Sequence, residues 1–357
     1  MARPFRRAIR RNVCPISELQ RVPVLAVGPY RDRPGLGSRR SDLGRPSWPL
    51  GAFRVIAMRF GFTLPNNWGL EDPQDVVDLG VAAEEAGFDS VWVNHHVLNV
   101  GYVADRLGHR PYYDALTILT WAAARTTRVK LGTSVLVVPY LHPMTLAKAL
   151  ATLDHLSRGR LIVGVGAGSL PEENAALGVP YDTRGAYTDE SLAVLKELWT
   201  APEPAFHGTF FDFSDVLAAP KPRQSPHPPI VIGGNRRPAL RRVARYGDGW
   251  HPMSLPPESV AARLIVLGEE LALVGRSLSE ISVSIRLDVV VLEDGAALRP
   301  GGSPLTGSVA HIRQQVERYR DVGVQEIILS ISSSDLARQH SMLDRLAAEV
   351  LPAAQCR

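Results

Sequence analysis

The stretch Phe60–Val93, FGFTLPNNWGLEDPQDVVDLGVAAEEAGFDSVWV, contains one complete strand–helix–strand unit and indicates the fold of the chain. Phe60–Leu64 is a short apolar strand, and Asp72-Pro73 then supplies an N-cap and a proline at the first helical position. Valine and alanine recur at helical spacing until Gly87, where the helix ends. The second strand, Ser90–Val93, follows at once, which is typical of an α/β protein with a parallel sheet.

The same alternation continues to the end of the chain. Eight apolar segments read as strands: Phe60–Leu64, Ser90–Val93, Val129–Val137, Leu161–Val165, Ile230–Ile232, Gly249–Pro252, Ile281–Val291 and Glu326–Ser330. A helical pattern follows each of them. Eight such units predict a (β/α)8 TIM barrel over residues 58–352, with insertion loops at 97–111, 200–229 and 293–307. A doubly wound open sheet shares the alternation, but the count of eight favours closure, and no dinucleotide fingerprint follows the first strand.

Residues 1–57 have a different composition from the rest of the chain. They contain 12 arginines, no lysine and three acidic residues, a net charge of +9, whereas the remainder carries −5. We expect a disordered basic arm here, or a translated upstream region, because Met58-Arg59-Phe60 resembles a natural start. The acidic body gives no reason to expect a nucleic-acid partner.

Composition and residue spacing also bear on the cellular compartment and on metal binding. No run of about 18 apolar residues marks a membrane span. The two cysteines, Cys14 and Cys356, lie near opposite ends, so we expect no structural disulfide and a cytoplasmic protein. Histidine and carboxylate do not recur at metal-ligand spacing, so no metal site is expected.

The carboxyl ends of the predicted strands are the places to look for chemistry, because barrel active sites lie there. The second strand ends in His95-His96, and only one of two adjacent side chains can point into the mouth. Histidine transfers protons near neutral pH. A structural histidine bonded to a loop is the alternative.

Two glycine-rich turns follow other strands. Gly166-Ala167-Gly168 follows the fourth and Gly233-Gly234-Asn235 follows the fifth, and such turns expose backbone N–H groups to a phosphate. Arg236-Arg237 comes next, at the positive end of a predicted helix, where an anion would offset the repulsion. The alternatives are tight structural turns and solvated arginines.

At these residues the sequence resembles the bacterial luciferase-like superfamily, and within it the oxidoreductases that use the deazaflavin coenzyme F420. The stretches that carry the resemblance are Met58–Pro65, Ala86–Trp92, Gly132–Val135, Gly164–Ser169, Ile232–Asn235 and Gly247–Trp250. Together they extend over most of the predicted barrel.

The resemblance implies roles for individual residues. His96 matches a histidine beside the reactive face of the deazaflavin, where it can donate a proton. His95 falls where relatives often place a cofactor-binding aspartate. The other positions that the resemblance brings to the cofactor are Ser134 and Val135, at a bulge with a non-proline cis peptide, then Val137, Gly166, Ala167, Gly168, Gly233, Gly234 and Asn235.

The implied function is F420-dependent hydride transfer to or from a small organic substrate, a carbonyl, an alcohol or an activated alkene. Ser169 stands where the similar sugar-phosphate dehydrogenase has a catalytic glutamate, so that specific activity is not expected. An FMN-dependent monooxygenase and a non-catalytic flavin- or deazaflavin-binding protein are the alternatives. Relatives are often homodimers.

Overall fold

The structure, a computed structural model, describes residues 57–293 and 302–352. Its central feature is a closed ring of eight parallel strands, which confirms the predicted TIM barrel. The strands, numbered here in chain order, are β1 (Arg59–Thr63), β2 (Ser90–Val93), β3 (Lys130–Thr133), β4 (Leu161–Gly166), β5 (Ile230–Gly233), β6 (Gly249–His251), β7 (Ser282–Val291) and β8 (Glu326–Ser330). Each strand pairs with the next, and β8 pairs with β1 to close the ring, with Phe60 opposite Ile327.

Eight helices follow the strands and cover the outside of the barrel. They are α1 (Pro73–Glu85), α2 (Ala115–Arg125), α3 (Pro143–Leu156), α4 (Arg184–Thr200), α5 (Arg237–Tyr246), α6 (Pro257–Ala272), α7 (Val309–Asp321) and α8 (Leu336–Glu349). The predicted N-cap of α1 is present, because the Asp72 carboxylate accepts a hydrogen bond from the Gln74 N–H at 2.8 Å. Asp114 caps α2 in the same way.

The structure departs from the predicted strand Val129–Val137, which is wrong as one continuous element. Pairing stops after Thr133 and resumes at Leu136–Val137, which pairs with β4. The peptide bond between Ser134 and Val135 is cis, as the resemblance implied. The interruption turns the chain at the carboxyl end of β3, towards the barrel mouth.

Short elements occupy the predicted insertion loops. The helix Tyr102–Leu107 lies within 97–111, and the hairpin Phe206–His207 with Asp212–Phe213 lies within 200–229. Another short helix, Pro171–Ala176, follows the β4 turn. Two to six residues show too little periodicity to be recognised in a sequence.

Large side chains fill the barrel interior. Trp92 of β2 is fully buried there with Val231 and Ile328. A methyl group on Gly132 of the neighbouring strand would overlap the Trp92 ring, so the glycine provides the space for the indole. Because the interior is packed, a ligand can enter only at an end of the barrel.

Two sequence-based expectations lie wholly or partly beyond the described residues. The arm 1–57 falls outside them except for its last residue, and the loop 293–307 is described only at its two ends. Within the described part of the chain, no helix is long and apolar enough to cross a membrane.

Candidate active site at the barrel mouth

His96 lies at the carboxyl end of β2 in a short chain of hydrogen-bonded side chains. Its Nδ1 is 2.6 Å from a carboxylate oxygen of Glu173, and its Nε2 is 2.7 Å from the hydroxyl of Tyr102. Tyr102 begins the short helix 102–107, and its side chain is about half exposed. The chain of contacts thus runs from a buried acid to a group at the surface of the mouth.

Glu173 anchors this chain and the backbone beside it. Its second oxygen accepts hydrogen bonds from the N–H groups of Val97 at 2.6 Å and Leu98 at 3.0 Å. Burial alone would raise the pKa of Glu173, but the bonds from His96 and the two N–H groups outweigh it and lower the pKa. The ionised carboxylate can only accept, so His96 donates through Nδ1.

His95 points to the other side of the strand and is buried. Its Nδ1 accepts a hydrogen bond from the Val137 N–H at 3.0 Å. Burial lowers the pKa of His95 to about 4, partly opposed by the charge of Asp114. A neutral His95 therefore positions Val137, and a direct contact with the cofactor stays a prediction.

The bulge after β3 rests on side chains from β6 and β7. The Ser134 hydroxyl is 2.9 Å from Nε2 of His251, whose Nδ1 is 2.7 Å from the Ser284 hydroxyl. The His251 ring stacks on Trp92 with centroids 4.9 Å apart, and burial lowers the pKa of His251 to about 3. Arg286 of β7 donates to the Ser134 carbonyl at 3.0 Å.

The two glycine turns meet the bulge where the cofactor ring is expected. A Cβ on Gly166 would lie 2.9 Å from Val135 Cγ2, and one on Gly233 would lie 3.0 Å from Val135 Cγ1. Gly168 has φ +78°, and a Cβ there would lie 2.7 Å from Val137 Cγ1. Five predicted positions therefore lie against one another. The two turns lack side chains, and the side chains of Val135 and Val137 pack against their backbone instead. These five residues are called the cradle below.

A buried polar atom beside the turn also lacks a partner. Nδ2 of Asn174 is buried without a hydrogen bond, while its Oδ1 accepts from the Tyr140 hydroxyl at 3.0 Å. Ala167 is partly exposed between the two glycines. An unpaired donor next to a glycine turn fits a ligand with phosphate or carbonyl oxygens.

The turn after β5 is arranged differently from the prediction. Gly234 has φ +118°, a backbone conformation that favours glycine, and the Asn235 side chain bonds the backbone of Met253. Arg237 is not free for an anion, because it pairs with the buried Glu270 carboxylate. The anion that offsets the charge of Arg237 is thus the Glu270 carboxylate of the chain itself, and no bound phosphate is needed there. The acid comes from α6, far along the sequence.

Three residues of this mouth were not found from the sequence: Glu173, His251 and Arg286. Their partners are distant along the chain, and Glu173 reads as an ordinary acid at a helix start. Among residues 57–293 and 302–352, no group of three or more His, Cys, Asp or Glu side chains could hold a metal ion.

Comparison with known proteins assigns the family. Residues 58–353 match the family described as luciferase-like monooxygenase. The chain belongs to this family. The F420-dependent glucose-6-phosphate dehydrogenase of Amycolatopsis mediterranei (strain U-32) is 38% identical over 183 residues, 50% of this chain and 53% of that protein. The chain thus spans about half the length of that relative.

Other relatives differ in their chemistry. The 4-hydroxyprotoasukamycin monooxygenase of Streptomyces nodosus subsp. asukaensis is 35% identical over 185 residues, 51% of this chain and 47% of that protein. The structure of an F420-dependent secondary alcohol dehydrogenase in complex with an F420-acetone adduct superposes with a TM-score of 0.71. It is 19% identical and covers 84% of this chain and 99% of that one, so it shows the common fold. The predicted family is confirmed.

Proposed function

We propose that this protein is a coenzyme F420-dependent oxidoreductase that moves a hydride between the deazaflavin and a small carbonyl, alcohol or activated-alkene substrate. The observation that carries the proposal is the chain Glu173–His96–Tyr102 at the end of β2, beside a cradle of glycine turns. The similarity to F420-dependent relatives supports this cofactor.

Bound F420 supplies or accepts the hydride, and the protein supplies position and the proton. The backbone N–H groups of Gly166–Gly168 and Gly233-Gly234 would hold the oxygens of the cofactor. The Val135 side chain, held between the two turns, would support its ring. Two of the ten predicted cofactor-binding residues, His95 and Ser134, act indirectly. His95 accepts a hydrogen bond from the Val137 N–H, and Ser134 fixes the bulge through its hydrogen bond to His251.

The proton moves along the hydrogen-bonded side chains. Glu173 fixes the Nδ1–H of His96 and stabilises positive charge on the ring, so Nε2 is the atom that exchanges a proton. The Tyr102 hydroxyl meets Nε2 and lies at the open end of the chain. Tyr102 therefore carries the proton between His96 and the substrate oxygen or carbon, or moves aside so that His96 acts directly.

Turnover assays test this proposal. Purified protein is mixed with F420 and a panel of alcohols, or with reduced F420 and the matching carbonyls, while the deazaflavin absorbance is followed. We expect His96→Ala to lower kcat about 100-fold or more, the usual contribution of a general acid, while the Kd for F420 stays within threefold. Undiminished turnover in His96→Ala would show that this side chain does not transfer the proton.

Tyr102→Phe separates the two proton routes. A relay through the hydroxyl predicts that kcat falls at least tenfold and that its pH profile changes. Wild-type kcat and pH profile in Tyr102→Phe mean that His96 acts directly. Thr120→Val is a control, since that hydroxyl bonds only its own helix.

A second candidate function is an FMN-dependent monooxygenase on the same barrel, which the similarity to a monooxygenase favours. Reduced flavin reacts with dioxygen, whereas the deazaflavin does not readily do so. Substrate-dependent oxygen uptake with reduced FMN would favour it. Cofactor binding without turnover of any substrate would favour a non-catalytic protein.

We do not expect glucose 6-phosphate to be oxidised. Ser169, at the position of the catalytic glutamate in the similar dehydrogenase, is exposed and cannot act as an acid at neutral pH. The acid that does reach His96 is Glu173, and its oxygens are already taken by Nδ1 and two backbone groups.

A further inference from the structure

Two arginines lie around the tyrosines that adjoin His96. The Tyr102 and Tyr112 rings both meet the His96 ring edge-on, with centroids 5.6 Å and 5.9 Å away. The charges of Arg106 and Arg286 both act on these two tyrosines, opposing the rise in their pKa values that burial causes. Arg106 belongs to the same short helix as Tyr102, and Arg286 donates to the side chain of Asn94, two residues before His96. Both arginines therefore lie around the carboxyl end of β2.

Neither arginine has a carboxylate partner. Among the described residues, no Asp or Glu oxygen lies within 4.0 Å of either guanidinium. Arg286 donates to the Ser134 carbonyl and the Asn94 side chain, both neutral, and its second amino group meets only the Met253 sulfur. Arg106 lies over the Trp68 ring at 4.6 Å, and its Nε is buried without a hydrogen bond.

A third unsatisfied group is close by. The Tyr112 hydroxyl is buried and has no hydrogen-bond partner. An O–H group buried in this way normally finds an acceptor, because leaving it unpaired costs about 1–3 kcal/mol. Tyr112, Arg106 and Arg286 are all donors, and what this part of the mouth lacks is an acceptor.

The surrounding charges also favour an anion at this place. Burial lowers the pKa of Arg286; the Asp288 charge opposes this, while Arg106 adds like-charge repulsion. Glu173, the buried acid of the mouth, is committed to His96 and the backbone. A partly buried cation without a bonded anion is costly, and a bound oxyanion would reduce that cost.

We propose that Arg106, Arg286 and Tyr112 form a subsite for an oxyanion of the substrate, a carboxylate or a phosphate. The inference rests on the proposed function for its meaning, since the subsite would select acidic substrates and hold their reacting carbon beside His96 and Tyr102. The planar guanidinium groups match the two oxygens of such an anion, and the Tyr112 hydroxyl donates a further hydrogen bond.

The cofactor is the other source of an oxyanion. The proposed function assigns its oxygens to the glycine turns after β4 and β5, whereas the unpaired Tyr112 hydroxyl belongs to a ring that packs against His96. Arg106 belongs to an insertion loop, the part of a barrel that usually determines the substrate. The positions of Tyr112 and Arg106 therefore favour the substrate.

Anion titration of the protein without cofactor tests the subsite. Sodium acetate and sodium phosphate are titrated at constant ionic strength, with chloride as the balancing salt, and binding is measured by calorimetry and by the shift in Tm. We expect at least one of them to bind with a Kd in the millimolar range or tighter. Arg106→Gln and Tyr112→Phe should weaken this binding about tenfold. Arg263→Gln removes an exposed arginine of α6 and should leave it unchanged.

Three results would overturn the inference. The first is no binding of either anion, and the second is equal binding by Arg106→Gln and Arg263→Gln. The third is displacement of the anion by F420 alone, which would assign the oxyanion to the cofactor. Competition with an acidic substrate, without change in the Kd for F420, supports the subsite. Because the first measurements contain no cofactor, a failure of the F420 proposal would be seen separately.

Discussion

Glu173→Gln is the perturbation that most directly probes the buried acid. Glutamine has nearly the same shape but no charge, and it replaces one acceptor oxygen by a donor amide. The carboxylate accepts three hydrogen bonds, from His96, Val97 and Leu98. A bond to a charged group contributes about 1.5–3 kcal/mol and a neutral one about 0.5–1.5 kcal/mol, so the three bonds lose roughly 3 kcal/mol.

The cost of burying the charge disappears in the variant and offsets part of that loss. The lowered pKa of Glu173 shows that the hydrogen bonds outweigh burial, so the net effect is destabilising. We expect the free energy of unfolding to fall by about 1–3 kcal/mol, a drop in Tm of roughly 2–6 °C. Glu172→Gln changes an exposed acid of the same helix and should cost under about 0.5 kcal/mol.

The pH dependence supplies a second readout. A carboxylate whose folded pKa is lowered stabilises the protein above its ordinary pKa of 4.5, and this stability is lost as pH falls through the folded value. The difference between wild type and Glu173→Gln should therefore be full at pH 6 and shrink below about pH 4.5. Chemical unfolding from pH 6 to pH 3.5 measures it. Equal stability of the two proteins at pH 6 would refute the assigned role of Glu173.

Two further substitutions, Gly168→Ala and His251→Asn, each have a specific expected result. Gly168→Ala should cost about 1–3 kcal/mol because of its φ of +78°, and its methyl group against Val137 should also weaken F420 binding about tenfold by fluorescence titration. Gly275→Ala, at φ +72° with open space around it, should cost similar stability and leave the Kd unchanged, so equal Kd values in both variants would contradict the cradle. His251 has its pKa lowered from 6.5 to about 3, so stability should be complete above about pH 6.5 and fall as the pH decreases towards 3. His251→Asn should reduce that slope by about 1.4 kcal/mol per pH unit in unfolding titrations, and an unchanged slope would show that His251 does not stay neutral.

Most of the barrel could be read from the sequence, because its strands and helices are long enough to show periodicity and carry caps such as Asp72. Short elements such as the helix Tyr102–Leu107 could not be recognised, because so few residues do not show periodicity. The interrupted strand at Ser134-Val135 was indicated only by the resemblance, since no proline, asparagine or charged residue interrupts the sequence from Leu131 to Val138.

Only part of the candidate site could be predicted from the sequence. His96 and the glycine turns follow their strands directly, so the strand ends revealed them. Glu173 is separated from His96 by 77 residues, and Arg286 lies 152 residues from Ser134. Contacts of this kind depend on the closure of the barrel and on the exact turn geometry, which local sequence does not specify. The pairing of Arg237 with Glu270 was hidden in the same way.

The central claim, that the mouth of this barrel binds a deazaflavin, is tested most directly by equilibrium titration of the purified protein with F420 and, separately, with FMN. We expect saturable F420 binding at micromolar or lower Kd, with FMN at least tenfold weaker. Tight FMN binding with no measurable affinity for F420 would contradict it.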